Sequence, residues 1–170
     1  MILFSDQDYE SKAFIETKEG HLVLDKLLSP KITRELSLNS VAMISCGFEH
    51  SIILTLGGQV ASWGCGASGC LGHNNYLSYS EPKLILKNDF KMIRNIQSGG
   101  YHNAALDSDG RLFMWGRSDV GQLGFEKSMV KADESGYVVL EPQHVSYFND
   151  IAIVGVGLGE AHSIVLDNKG

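Results

Sequence analysis

A pattern of glycine, histidine and tryptophan occurs twice in this chain, in one register. The first copy contains Gly47, His50, Gly58, Trp63-Gly64 and Leu71-Gly72. The same residue types return fifty-two positions later as Gly99, His102, Gly110, Trp115-Gly116 and Leu123-Gly124. A third copy begins with Gly159 and His162, sixty residues after the second. A repeat of about fifty residues with paired glycines is typical of one supersecondary unit stacked several times, and a β-propeller is the leading candidate.

The order Gly-x-x-His, turn glycine, Trp-Gly and Gly-x-Leu-Gly resembles the repeat of the regulator of chromosome condensation family. The resemblance covers residues 40–170. It implies an all-β fold, here a partial β-propeller of four-stranded blades. It leaves the function open, because the family includes a Ran nucleotide exchange factor, ubiquitin ligase modules, kinase-attached regulators and ciliary scaffolds on similar blades.

The repeat register divides the chain into four segments. Residues 1–39 are predicted to be the degenerate end of a preceding repeat, 40–91 and 92–151 to be repeats, and 152–170 to be the start of a further, truncated repeat. The resemblance implies a ring of seven blades, which about three repeats cannot close, and an interrupted hairpin leaves backbone groups unpaired along a sheet edge. We therefore expect either a longer protein or association with another chain that supplies the remaining blades.

Apolar runs and glycine turns predict the strands of the repeats. They are 41–45, 51–56, 59–63 and 81–86 in the first, and 91–97, 103–106 and 111–115 in the second. The first run has no polar alternation, so we expect it to be buried on both faces. Gly57-Gly58 is predicted to form a hairpin turn. Trp63 is expected to be buried with its indole N–H paired.

The second repeat is longer than the first by an insertion. Glu141-Pro142 lies sixty residues after Glu81-Pro82 instead of fifty-two, and the extra eight residues fall within 125–137. Inserted loops on a rigid repeat scaffold often carry specific contacts. The predicted partner-binding residues are the charged residues of this loop: Glu126, Lys127, Lys131, Asp133 and Glu134.

Composition argues against several classes of function. The chain has 14 basic and 20 acidic residues, a formal charge of −6, and no basic run, which disfavours direct nucleic-acid binding. Its longest stretch of apolar and glycine residues, 151–159, is too short for a membrane span. The first eight residues lack the basic region of a signal peptide, and three cysteines do not suit a disulfide framework. These features predict an intracellular protein of the cytoplasm or nucleus.

Three patterns that could mark a chemical site are better explained by the repeat. Residues 64–69 match the dinucleotide fingerprint G-x-G-x-x-G, but the second repeat has Ser118 in place of Gly66 and no helical pattern follows. Several residues are of zinc-ligand types, yet the histidine recurs without companion cysteines: Cys46, His50, Cys65, Cys70 and His73. Ser51 beside His50 is no catalytic pair, because neighbours on a strand point to opposite faces.

We therefore expect no cofactor, no metal and no hydrolase or redox activity. The repeated histidine is expected to form a hydrogen bond with neighbouring backbone and fix its turn. The sequence predicts a protein-binding scaffold or regulatory module that uses the loops at the propeller rim. The family resemblance implies an alternative, a guanine nucleotide exchange factor for a small GTPase such as Ran. A second alternative is a structural subunit whose open blade edges are completed by another chain.

Overall fold

The structure is a computed structural model that describes residues 14–16, 22–24, 41–133 and 136–170. Two short strands come first, β1 (Phe14–Glu16) and β2 (Leu22–Leu24), which pair antiparallel. The rest of the segment predicted to end a preceding repeat lies outside the described residues, as does Glu134.

Blade A is a four-stranded antiparallel sheet spanning residues 41–84. Its strands are β3 (Val41–Cys46), β4 (His50–Thr55), β5 (Val60–Gly64) and β6 (Tyr79–Leu84), paired in chain order. Gly58 has a φ of 77°, which suits the tight turn between β4 and β5. The last strand begins and ends two residues earlier than predicted, since the ladder already pairs Tyr79 with Gly64 and the strand ends at Leu84.

Blade B spans residues 93–144 and has five strands, one more than the four predicted for a blade. Its strands are β7 (Ile93–Ser98), β8 (His102–Asp107), β9 (Leu112–Arg117), β10 (Lys131–Asp133) and β11 (Gly136–His144). The sheet order is β10-β11-β9-β8-β7. The inserted residues account for the difference, because they form a 3-10 turn (Lys127–Met129) and then the β10–β11 hairpin, which adds a fifth strand at the outer edge.

Blade C comprises the two described strands of the third repeat. After a second 3-10 turn (Ser146–Phe148), β12 (Ile153–Leu158) pairs antiparallel with β13 (Ser163–Asp167). With blades A and B, this arrangement confirms an all-β fold, a partial propeller of four-stranded blades with blade B extended by one strand.

The hydrophobic core lies between the blades as well as within them. One cluster joins Ile52 and Leu54 of blade A to Phe113 and Trp115 of blade B, and both aromatic rings are fully buried. Burial of a large apolar side chain contributes about 1.5–3 kcal/mol. Contacts between neighbouring repeats are therefore a principal source of stability, as expected for a stacked array.

Two burial predictions for blade A were wrong. The strand predicted to be buried on both faces, β3, is only partly buried, because it is the edge strand of its sheet. Trp63 is also only partly buried, whereas Trp115 is fully buried. The ring of Trp115 packs against the preceding blade near Cys70. The position one repeat before Cys70, which would correspond to it for Trp63, lies outside the described residues.

Candidate functional site

The loops of the three blades converge at one end of the structure. Antiparallel strands place the connections β3–β4, β7–β8, β9–β11 and β12–β13 at the same end of their sheets. Backbone hydrogen bonds join these loops across the blades, from Phe48 N to Gly100 O (3.0 Å) and from Gly100 N to Glu160 O (3.2 Å). We call the residues 47–49, 99–101, 117–133 and 136–137 the rim.

The repeated histidine of blade A is bound to blade B. His50 Nε2 donates to Oδ1 of Asn103 (2.8 Å), and Nδ2 of Asn103 donates back to the carbonyl of Cys70 (2.7 Å). The sequence predicted that this histidine bonds to neighbouring backbone, and for His50 that partner was wrong, since the ring bonds to the side chain of Asn103. The physical reason is that the ring reaches across the blade interface, where a side chain of the next repeat supplies the acceptor.

The same ladder recurs between blades B and C. His102 Nε2 lies 3.1 Å from Oγ of Ser163, which donates to the carbonyl of Gln122 (2.7 Å). Burial lowers the pKa of His102 to about 4, and burial also lowers the pKa of His50, against the opposing effect of the Asn103 bond. Both rings are therefore neutral near pH 7 and act as structural donors.

The glycine of Gly-x-x-His is required by the histidine ring. A Cβ at Gly47 would collide with Cε1 of His50 and would lie 2.7 Å from the carbonyl oxygen of Gly99. A Cβ at Gly99 would collide with His102 in the same way. The motif thus lets adjacent blades approach closely.

A continuous row of side chains crosses the rim from blade A to the insertion. Phe48, 58% exposed, packs edge-to-face on Tyr101 with ring centroids 5.3 Å apart. The guanidinium of Arg117 lies 5.9 Å from the same tyrosine ring and is ion-paired with Asp119. Oδ1 of Asp119 accepts a hydrogen bond from the N–H of Tyr137 (2.9 Å), the second residue of β11.

The carboxylate of Asp119 is the fixed negative charge in this row. Partial burial opposes its ionisation, but the N–H of Tyr137 and the guanidinium of Arg117 together hold its pKa below the usual range. The rim therefore presents an aromatic pair, a cation and an anion in a defined order.

The insertion places one of the predicted contact residues, Lys127, beside the end of this row. Glu126, Lys127 and Lys131 are exposed, and Nζ of Lys127 lies 5.8 Å from the ring of Tyr137. Asp133 ends β10 and pairs with Gly136 in the hairpin ladder. That these residues contact a partner stays a prediction.

The insertion is anchored rather than loose. Val130 is buried in the main hydrophobic cluster, and Phe125 and Tyr137 pack against it. The insertion is thus held on the blade by apolar contacts, while the side chains of Glu126, Lys127 and Lys131 are exposed.

Sequence reasoning missed Phe48, Tyr101, Arg117 and Asp119. The signal that could have found the first three is divergence between the copies within this chain. Position 48 corresponds to Gly100 and Glu160, and position 117 corresponds to Cys65. Residues that fix the blades recur, whereas exposed rim positions differ from copy to copy.

The residues considered for zinc or a dinucleotide occupy other surroundings. Among the described residues, no group of three or more His, Cys, Asp or Glu side chains could hold a metal ion. Burial raises the pKa of Cys70 to about 12, which keeps its thiol protonated. Residues 64–69 connect two strands of blade A, whereas a dinucleotide fingerprint joins a strand to a helix.

The blades and the histidine ladder between them define a propeller-blade repeat protein. A family model described as "Regulator of chromosome condensation (RCC1) repeat" matches residues 57–106 and 109–166, and a second model of that description matches 41–70 and 93–122. The chain therefore belongs to the RCC1 repeat family.

The curated relatives of this chain include much longer proteins. A human protein named probable E3 ubiquitin-protein ligase HERC6 is 34% identical over 139 residues, which is 81% of this chain and 13% of the relative. Protein pim1 of Schizosaccharomyces pombe is 29% identical over 141 residues, 80% of this chain and 25% of the relative. The chain thus spans a quarter or less of these relatives.

A solved structure supports the fold. Prp20p of Saccharomyces cerevisiae, described with its binding properties to Gsp1p and histones, superposes with a TM-score of 0.65 at 19% identity. The match covers 94% of this chain and 37% of Prp20p.

In the part of this chain that the structure describes, no helix is long and apolar enough to cross a membrane.

Proposed function

We propose that this chain is a protein-binding regulatory module whose partner contacts the rim. The observation that carries the proposal is the row from Phe48 through Tyr101 and Arg117 to the insertion. Exposed aromatic and arginine side chains are enriched in protein interfaces and dominate their energetics. The repeat limits 40–91, 92–151 and 152–170 belong to this proposal as its structural units.

The insertion is held in one arrangement on the rim, and this favours a role in partner binding over a merely tolerated insertion. Val130 anchors the insertion, and the Asp119–Tyr137 bond fixes the start of β11. A surface held in one arrangement loses less conformational entropy when a partner binds. The exposed charged residues of the insertion, Glu126, Lys127 and Lys131, would select the partner by charge, and Lys127 lies beside Tyr137 at the end of the row.

Quantitative affinity capture from cell extract tests the proposal. The rim variants are Phe48→Ala and the double charge reversal Lys127→Glu with Lys131→Glu. The matched control reverses two exposed lysines at the opposite end, Lys91→Glu with Lys169→Glu. We expect the rim variants to lose the same partners, tenfold or more in recovered amount, while the control retains them. Equal recovery with all variants would show that the rim is not the binding surface.

A second candidate is guanine nucleotide exchange on a small GTPase. The observation that favours it is the structural likeness to Prp20p, whose reported binding partners include Gsp1p. Captured protein would be washed with and without excess GTP and magnesium, because an exchange factor binds its GTPase most tightly when nucleotide is absent. Selective release of a small GTPase would support exchange. Partners that stay bound under both washes would leave the regulatory-module proposal standing.

The proposed place of action is inside the cell, in the cytoplasm or nucleus. All three cysteines, Cys46, Cys65 and Cys70, are free thiols, and Cys46 is exposed. Free exposed thiols suit a reducing compartment.

A further inference from the structure

The inserted strand β10 forms the outer edge of blade B. It pairs with β11 on one side and with no other strand among the described residues. The opposite edge of the same sheet is β7, which contacts β3 of blade A and β12 of blade C. Propeller blades are arranged radially around a central channel, so β7 is the inner strand and β10 the outer one. The free edge of β10 therefore faces away from the neighbouring blades, whatever number of blades the ring has.

The main-chain hydrogen bonds of Tyr137 show which backbone groups of β10 are available. Its N–H donates to Oδ1 of Asp119 (2.9 Å), and its carbonyl accepts from the N–H of Ser118 (2.7 Å). Both groups of Tyr137 therefore point away from β10. Ala132 lies directly opposite Tyr137 in the ladder. Opposite residues of an antiparallel pair exchange both hydrogen bonds or neither, so the N–H and C=O of Ala132 point outward, away from β11.

The sequence of β10, Lys131-Ala132-Asp133, is complementary to itself in charge. If a second copy of the strand lies antiparallel and is centred on Ala132, Lys131 of each copy is directly opposite Asp133 of the other. Opposite charges at such positions stabilise an antiparallel pair, and like charges destabilise it. Ala132 is exposed, and its small side chain at the centre lets a second backbone approach.

We propose that β10 pairs with β10 of a second copy of this chain, antiparallel about a twofold axis at Ala132. The N–H of each Ala132 donates to the carbonyl of the other, which uses both outward groups. Two five-stranded sheets then become one continuous sheet. The contact is isologous, as in most dimers of identical chains. It does not rest on the proposed function, because it requires neither the aromatic pair of the rim nor a different protein.

The charges of β10 select this arrangement over other edge contacts. A lysine on a sheet edge normally prevents edge-to-edge association. A parallel copy in register would place Lys131 beside Lys131 and Asp133 beside Asp133, which is unfavourable. The twofold arrangement gives each of these residues an oppositely charged neighbour. The strand has only three residues, so the contact is small and we expect a reversible dimer whose population rises with concentration.

Sedimentation velocity of the full chain at increasing concentration tests the pairing. The variants Lys131→Asp and Asp133→Lys each place like charges opposite one another, and each should weaken self-association tenfold or more. An equimolar mixture of the two variants should dimerise again, because one then has two acidic residues in β10 and the other two basic ones. The matched control is Lys169→Asp, an exposed charge reversal outside the insertion, which should leave the dimer unchanged.

The backbone bonds have a test of their own in Ala132→Pro. Proline removes the outward N–H, which is not part of the β10–β11 ladder, so the substitution is compatible with the hairpin. We expect it to weaken dimerisation tenfold or more. In the wild type, hydrogen exchange at the Ala132 amide should slow as the dimer forms. If Ala132→Pro does not fold, the mixture of charge variants decides, because the exposed Lys131 tolerates substitution.

Several results would overturn the proposal. They are a wild-type chain that stays monomeric at every concentration, a dimer that both single charge variants retain, and charge variants that do not pair when mixed. Protection of the Ala132 amide only when a different captured protein is bound would assign the edge to that protein and also overturn the self-pairing. Phe48→Ala should dimerise as the wild type does while losing captured partners, so failure of the rim proposal and failure of this one are distinguishable.

Discussion

Asn103→Ala is expected to weaken the contact between blades A and B. The size of the loss in unfolding free energy follows from the hydrogen bonds that Asn103 makes. The amide of Asn103 accepts from Nε2 of His50 and from Oγ of Ser98, both at 2.8 Å, and donates to the carbonyl of Cys70. Alanine removes all three bonds. The His50 ring is buried and its N–H has no alternative acceptor in the ladder, whereas Cys70 keeps the indole of Trp115.

Each buried polar group left unpaired costs about 1–3 kcal/mol. One fully buried donor and two partly compensated groups therefore predict a loss of about 2–4 kcal/mol in the free energy of unfolding. Asn103→Ser is a control taken from the chain itself, because Ser163 occupies the same position in blade C and bonds both to His102 and to the carbonyl of Gln122. Serine should retain both contacts and cost about 1 kcal/mol.

Urea unfolding of the wild type and both variants measures these values, with circular dichroism and tryptophan fluorescence followed together. Coincident transitions and equal denaturant slopes would permit the comparison of free energies. A gap of about 1–3 kcal/mol between the alanine and serine variants is expected from the bonds that serine keeps. Losses equal within about 0.5 kcal/mol would refute the ladder as a source of stability, because the two side chains differ chiefly in those bonds.

Two further predictions concern the same interfaces. Gly99→Ala should lower the free energy of unfolding by about 1–3 kcal/mol, because its Cβ would overlap the His102 ring. The control is Gly157→Ala, where nothing lies within 4 Å of the added Cβ, and it should change that free energy by less than about 0.5 kcal/mol. Similar losses in both variants would contradict the steric argument. Burial lowers the pKa of His102 to about 4, so the folded ring stays neutral while an unfolded one protonates below about 6.5. Stability should therefore fall between about pH 6.5 and pH 4, by roughly 1.4 kcal/mol per pH unit for this residue, and urea midpoints should show a shallower slope in His102→Gln.

The sequence was sufficient to predict the fold because the repeat is a local pattern. Gly58 and Gly110 both adopt the left-handed conformation that a tight hairpin needs, and each lies eight residues after its histidine. The alternating turns and apolar runs follow from such local requirements. The fifth strand of blade B was not predictable in the same way, because the inserted residues have no second copy for comparison.

The contacts between blades were harder to predict because they depend on which residue of the next copy faces a given side chain. His50 bonds to Asn103, and His102 bonds to Ser163. Asn and Ser share no obvious pattern in the sequence, yet both supply an acceptor for the histidine and a donor for a carbonyl. Burial was predicted for Trp63, but it is the equivalent Trp115 that is fully buried, so the motif position alone does not determine burial.

Recurring positions stabilise the contacts between blades, whereas divergent positions lie exposed on the rim. Under the proposed function, this difference would let one scaffold bind different partners. The histidine, glycine and tryptophan positions hold blades together through buried bonds, so substitutions there cost stability. Phe48, by contrast, is 58% exposed and is replaced by glycine and glutamate in the other copies without change in the backbone bonds that join the loops. Substitutions at such exposed positions usually change stability by less than about 0.5 kcal/mol. Side chains of the proposed binding surface can therefore change with little effect on the fold, and Phe48→Ala is expected to reduce partner binding while leaving the urea midpoint nearly unchanged.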